Sequence, residues 1–514
     1  MPQKSENIFY ELPEIIQEAV IVLAIPTSLN ESIAEQLLRS TQVTNGNTTE
    51  VIRNLKTFPI WVKRTKTSWC IDDEIRDIAI QKLNDSTLET KRKVIEVLKE
   101  YETTFKNQTY LVSRDFQLQL VRLSLGVPEE QQQSIQKLRS FFEAAELFNN
   151  HEASRVLSSY IDENLKIDNS QKSYPVYILS AYFIKGIDAY RKREFKVALE
   201  YLLPVWKYYD RTNFSSQKDA AIASHFAGLI YAKERSQFKN AEDAFNDSLK
   251  ISSEINLNYH IAQVYHSIGN LYIKQKKYPA AERAFLQSLE LRNPKTDSYG
   301  LAQVYHSLGN LYSKDRHRFI EAEDMYRKSL SIELRNNNQY GIAQVFHSLG
   351  RLYSKDFYRF KDAEEAFNKS IDHRFLANDF YGLAQTYHSL GILYSKDKSR
   401  YEDAEKALFE SLQLEKKNNN KYGQAIVYNV LGILYSKDSN KYQKAEDAYL
   451  KSLEIAFEIR NNSCLAQTFA NYGRLMLLTK NYQKAKSLFE EALKYENDFK
   501  FITTIKRLIQ DLPL

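Results

Sequence analysis

The chain has 514 residues, 43% of them hydrophobic and 26% charged, which excludes wholesale disorder and leaves room for more than one domain. A net charge of +6 is too small over this length to mark a nucleic-acid-binding protein by itself. Two cysteines, Cys70 and Cys464, make neither a disulfide framework nor a zinc cluster. Fourteen glycines and ten prolines are few breakers for such a chain, which leans it toward helix.

The opening MPQKSENIFYELPE has no apolar signal core, and the most apolar run, AVIVLAI (19–25), is too short to span a bilayer. A cytoplasmic, reducing location is expected. PEIIQEAVIVLAI (13–25) reads as an apolar helix. NESIAEQLLRS (30–40) reads as a second, with Asn30 placed to cap it, and TTEVIRNLKTF (48–58) as a third. IWVKRTKTSWCID (60–72) sets β-branched and aromatic residues on both sides of a basic turn, a hairpin pattern. DEIRDIAIQKL (73–83) closes with a helix. Three helices and a hairpin make residues 1–87 a winged-helix-like domain. If such a domain binds DNA, its third helix and wing touch the duplex, which singles out Arg53 and Lys56, then Lys63, Arg64 and Lys66. The set is thin and Glu50 lies among it, so packing or partner docking is the competing role.

Residues 88–170 read as a helical bridge. LETKRKVIEVLKEYETTF is its clearest helix, and 141–161 (FFEAAELFNNHEASRVLSSYI) looks like a degenerate helix pair. A repeat then takes over. Its glycines fall at Gly228, Gly269, Gly309, Gly350, Gly391, Gly432 and Gly473, in steps of 41 or 40 residues. Such a period is that of a solenoid built from one supersecondary unit. In 301–334, Leu301, Val304, Tyr305, Leu308, Leu311 and Tyr312 recur at three and four residues. After a polar turn, Ala322, Met325, Tyr326, Ser329 and Leu330 do the same. Each unit is two antiparallel helices. Asn-rich stretches such as 336–338 and 418–420 end the second helix, where Asn tolerates the left-handed conformation. A weaker copy surrounds Gly186, Ala198 and Leu202, and DFKFITTIKRLIQDL (498–512) reads as a capping helix.

The set Tyr305, Leu308, Gly309, Tyr312, Ala322, Tyr326 and Ser329 resembles the tetratricopeptide repeat, with one departure. Gly309 to Ala322 is 13 residues, whereas Gly269 to Ala281 keeps the usual 12. The resemblance implies an all-α right-handed superhelix of about seven to nine helix pairs over 171–496, with 497–514 as its cap. Residues 1–87 resemble the winged helix that precedes such arrays in bacterial STAND-type regulators. Those regulators normally carry a nucleotide-binding domain before it. This sequence holds no G-x-x-x-x-G-K-[ST] loop, no G-x-G-x-x-G and no G-x-S-x-G elbow, so neither an enzyme nor a cofactor is expected.

In tetratricopeptide arrays the inner helix of each pair lines a concave groove. The resemblance places the residues six before, three before and one after the repeat glycine in that groove. Here those columns read Gln263, His266, Asn270; Gln303, His306, Asn310; Gln344, His347, Arg351; and Gln385, His388 with Ile392. His225 precedes them, and the ladder turns mostly apolar at Ile426, Asn429 and Ile433. Two readings stay open: a hydrogen-bond network between repeats, or a surface that pairs with a peptide or protein segment. A metal site is disfavoured, because adjacent helices pack about 8–10 Å apart and zinc ligands sit near 2 Å. A lysine column (Lys314, Lys355, Lys396, Lys437) follows five after the glycine, with Asp315, Asp356, Asp397 and Asp438 beside it. It suits the negative ends of the inner helices. The alternative is a basic rim for an acidic partner. Carboxylates such as Glu364 and Glu365 read as a solvated face.

The sequence therefore points to a non-enzymatic scaffold or sensor binding a peptide or partner protein, an adaptor or regulatory subunit in bacterial signalling or defence. The alternative is a DNA-binding transcription regulator with the repeats as ligand sensor. No membrane role is expected, and neither the partner nor the oligomeric state is legible.

Overall fold

Periodic apolar residues and paired caps set the helices of this chain. The computed structural model describes residues 174–512 except Asn497, together with 12, 14–24, 34–35, 38–39, 48–55, 61–63, 69–71, 73–105, 114–147 and 151–164. It contains two compact units, Met1–Val264 and Tyr265–Leu514.

In the first unit, helix Glu14–Leu23 packs on Thr48–Leu55 and Asp73–Asn84. Strands Trp61–Lys63 and Trp69–Ile71 pair antiparallel, with Val62 opposite Cys70. Arg76 Nε donates to the Ala24 carbonyl over 2.8 Å. The expected helix at 30–40 lies mostly outside the described residues, as do Lys56, Arg64 and Lys66. The core of Val20, Leu23, Ile52, Leu55, Ile75 and Leu83 continues into Val94, Leu98, Leu120 and Leu123. Helices Leu88–Phe105 and Arg114–Leu125 thus share one apolar core with the N-terminal segment. A second core joins Gln131–Leu147 and His151–Asn164, the degenerate pair, to the first repeats through Phe142, Tyr182, Phe183 and Leu202. Each such buried side chain contributes roughly 1.5–3 kcal/mol.

Eight helix pairs run from Val176–Arg191 with Phe195–Lys207 to Asn462–Leu478 with Tyr482–Lys494. Phe499–Gln510 follows, capped by Asp498 and anchored by Ile505. In the second unit four successive repeats are closed in the same way. A buried serine of the second helix donates to a carbonyl of the first: Ser329 to Ala302, Ser370 to Ala343, Ser411 to Ala384 and Ser452 to Ala425, each at 2.8 Å. The repeat glycine lets the two helices close. A Cβ on Gly350 would lie 2.7 Å from Phe367 Cδ1, inside contact distance.

The three asparagines between repeats divide the work of one junction. Asn336 ends helix Phe319–Arg335, Asn337 takes φ 50°, and the Asn338 side chain accepts from Gly341 N to start helix Gln339–Tyr353. The same division holds at Asn418, Asn419 and Asn420. Asparagine is the non-glycine residue best suited to the left-handed step.

The extra residue between glycine and alanine also has a cause. Units with the 13-residue spacing carry a 3-10 turn, as at Arg316–Arg318 and Phe357–Arg359. The 12-residue units instead turn through one left-handed residue: Arg193, Lys276 or Lys480. Asp315, Asp356, Asp397 and Asp438 begin the 3-10 turns by accepting the backbone N–H two residues on. They are caps for these turns rather than ion-pair partners of the preceding lysines.

Candidate functional site

Successive first helices touch one another in the second unit: Gln339–Tyr353 on Phe380–Tyr394, and Lys421–Tyr435 on Asn462–Leu478. No comparable packing joins successive second helices among the described residues. The first helices therefore hold the inner side of the curve within this unit, and the columns read from the sequence lie on them.

The histidine column is used between repeats. His266 Nε2 lies 2.9 Å from Ser307 Oγ, His306 Nε2 2.8 Å from Ser348 Oγ, and His347 Nδ1 3.1 Å from Thr386 Oγ1. One repeat beyond His388 the pair is amide to amide, with Asn471 Nδ2 donating to Asn429 Oδ1 over 2.9 Å. His388 breaks the series. Its Nε2 is buried without a hydrogen bond, because the corresponding positions of the following repeat are Val427 and Val430. Burial pushes His306 and His388 down to about 4 and, with Arg292 and His306 nearby, His266 to about 4 as well. His347, buried and facing Arg351 and Arg374, falls to about 3. These imidazoles are neutral across the physiological range. His225, in the first unit, is buried against Phe245 and His260.

Asn310 is likewise engaged. Tyr326 Oη donates to its Oδ1 over 2.8 Å, and its Nδ2 lies 3.4 Å from His306 Nδ1. A relay thus runs from the second helix through Asn310 and His306 to Ser348 of the next repeat. With Nδ1 accepting, His306 presents Nε2–H to the serine. The remaining members face outward. Asn270, Gln344, Arg351 and Gln385 are exposed, and Gln303 is half-buried. Gln263 is half-buried at the end of the first unit.

The lysine column caps helices, and does so across repeats. The ammonium groups of Lys355, Lys396 and Lys437 donate to the carbonyls of Ser313, Ser354 and Ser395, each at the end of the preceding first helix. This is the dipole role expected, exercised on the neighbour's helix. Glu364 is not part of a solvated face. It accepts from Tyr394 Oη over 2.7 Å and from Arg400 over 2.9 Å, and Arg400 also stacks on the Tyr394 ring. Glu282, Tyr312 and Arg318 form the same trio, as do Glu323, Tyr353 and Arg359. Arg318 holds the Glu282 carboxyl below its ordinary range. Glu365 alone behaves as expected, exposed and paired with Lys369. In the N-terminal segment Arg53 is exposed on its helix, and Lys63 lies on the first strand.

These parts enclose a cleft of about 410 Å³ in the second unit, lined by Asn270, Ser307, Asn310, Lys314, Ser348, Arg351 and Lys355 among others. Three cations line it and no carboxylate does. Burial, followed by Arg351, Lys314 and Arg316, holds the Lys355 ammonium below its ordinary value. Sequence reasoning named Arg351 and Asn270, but it read Lys314 and Lys355 as a separate column. Their convergence with the groove depends on the helix crossing and is absent from the spacing alone.

The tetratricopeptide-repeat family profile matches residues 218–294, 260–334 and 382–458. Residues 218–334 and 382–458 are thus tetratricopeptide repeats. No curated protein matches the chain in sequence. Among solved structures, the STAND protein with a tetratricopeptide repeat sensor from Pyrococcus horikoshii is 13% identical, with 96% of this chain and 67% of that one covered at a TM-score of 0.49. The apo form of the quorum sensor NprR from B. thuringiensis is 13% identical, covering 71% of this chain and 99% of that one at a TM-score of 0.53. At such identity the NprR likeness shows shared architecture and nothing finer. Among the described residues no helix is long and apolar enough to cross a membrane.

Proposed function

We propose that the tetratricopeptide repeats of the second unit are a non-enzymatic binding surface for an acidic stretch of a protein or peptide. In this reading the chain is an adaptor or regulatory sensor acting in the cytoplasm. The carrying observation is the cleft lined by Lys314, Arg351 and Lys355 without a carboxylate. Neither Arg351 nor Lys314 has an ion-pair partner among the described residues. Exposed Asn270, Gln344 and Gln385 add donors and acceptors for an extended backbone along the same face. The histidines support that face from behind, through their bonds to the next repeat. NprR, which shares the architecture, is itself a quorum sensor. The N-terminal helices and hairpin are read as a winged-helix-like docking module.

The test uses fluorescein-labelled peptides of eight residues, one rich in Asp and Glu, the other with Lys at those positions. The full chain is expected to bind the acidic peptide at least tenfold more tightly, with an affinity that falls as salt rises. Equal affinity for both peptides overturns the proposal.

A further inference from the structure

A second cleft lies wholly within the first unit, and of the groove residues named above Gln263 alone borders it. It measures about 590 Å³, within the usual range of small-ligand pockets. Phe142, Phe183, Ile187, Ile222, Phe226 and Leu257 supply most of its wall. Arg139 stands in that apolar wall, and its carbon Cζ sits 4.4 Å from the Phe183 ring centre and 5.6 Å from that of Phe142. A guanidinium is rarely this buried without full pairing.

The pairing is partial. Arg139 Nη2 donates to Asp219 Oδ1 and, over 3.2 Å, to Glu143 Oε1. Its Nε and Nη1 are buried and have no acceptor. A buried donor left unmet is costly, and more so on a charged group. Charge points the same way. Arg139, Arg191 and Lys218 line the cleft against one carboxylate, Glu143, which also takes Lys218 Nζ over 3.1 Å.

We propose that this cleft is a binding site for a carboxylate carried on a bulky apolar or aromatic body. The carboxylate accepts from the Nη1–H of Arg139. The body packs on Phe142, Phe183, Ile222 and Phe226, where it removes apolar surface from water. Two sources carry this chemistry: a free small acid, and the C-terminus of a peptide ending in a large apolar residue. The site is distinct from the acidic-peptide surface of the repeats and stands or falls without it.

Calorimetry on the full chain distinguishes these. The probes are 4-phenylbutyrate and its amide, with the peptide Gly-Gly-Leu-Phe as free acid and as C-terminal amide. Each acid is expected to bind at least tenfold more tightly than its amide. A small acid as tight as the peptide assigns a free ligand, and a peptide tenfold tighter assigns a chain terminus. Ile222→Trp, which fills the cleft and leaves the ion pairs untouched, is expected to abolish binding while the melting temperature holds. Arg139→Met combined with Asp219→Asn is expected to erase the preference for acid over amide. Acid and amide binding alike, full binding by Ile222→Trp, or no binding by either acid at millimolar concentration overturns the proposal.

Discussion

His306 and Ser348 belong to different repeats, 42 residues apart in sequence, yet His306 Nε2 and Ser348 Oγ are 2.8 Å apart. The pair welds one first helix to the next. Replacing either residue by alanine is expected to lower stability by about 1 kcal/mol. The double variant should lose less than the sum of the singles, with a coupling of about 0.5–1.5 kcal/mol. Urea unfolding of the four proteins measures it. Strict additivity would show that the contact contributes nothing.

The same histidines make the array sensitive to acid. Their ordinary value is 6.5, and the folded chain holds His266, His306 and His388 to about 4 and His347 to about 3. Between those limits the unfolded chain binds protons that the folded chain refuses. Stability is therefore complete above pH 6.5 and declines as pH falls from 6.5 toward 4. The urea midpoint should drop more between pH 7.5 and pH 5 in the native chain than in His306→Gln with His347→Gln. Identical drops in both would remove the histidines as the cause.

His388 offers a gain. Its Nε2 is buried without a partner because Val427 and Val430 replace the hydroxyl-bearing residues found in earlier repeats. Val430→Thr keeps the branched shape and adds a hydroxyl. The expected result is a stabilisation of about 0.5–1.5 kcal/mol, against the loss usual for such a change. A lower melting temperature would contradict it.

Gly350 faces the Phe367 ring so closely that even a methyl intrudes. Ala normally gains about 1 kcal/mol over Gly inside a helix. Here overpacking of about 1–3 kcal/mol outweighs it, and Gly350→Ala should lose about 1–2 kcal/mol net. A stabilised variant would mean that Phe367 moves aside freely.

The helix pairs, their period and their closing glycines were legible because each obeys a local rule of spacing. The asparagine junctions were legible for the same reason, since left-handed backbone selects its residue. The histidine column could be found but not interpreted. Whether His306 faces a ligand or Ser348 depends on how one repeat rotates on the next, which periodicity does not encode. Glu364 was misread for a related reason, since its partners Tyr394 and Arg400 lie 30 and 36 residues on. Tyr305, Tyr312 and Tyr326 entered the repeat pattern by their spacing. Tyr299, Tyr340, Tyr381 and Tyr422 stand about half exposed at the starts of the first helices. The cleft of the first unit had no signature, because Arg139, Phe183 and Ile222 come from three different helices.

The proposed function rests on surplus positive charge at Lys314 and Arg351. The most direct measurement is the affinity of the Asp/Glu-rich and Lys-rich peptides for a Lys314→Glu, Arg351→Glu chain, with circular dichroism to confirm that the helices persist. Reversing both exposed charges should weaken the acidic peptide at least tenfold and raise the affinity for the basic one. Unchanged binding of the acidic peptide by this variant would contradict the account.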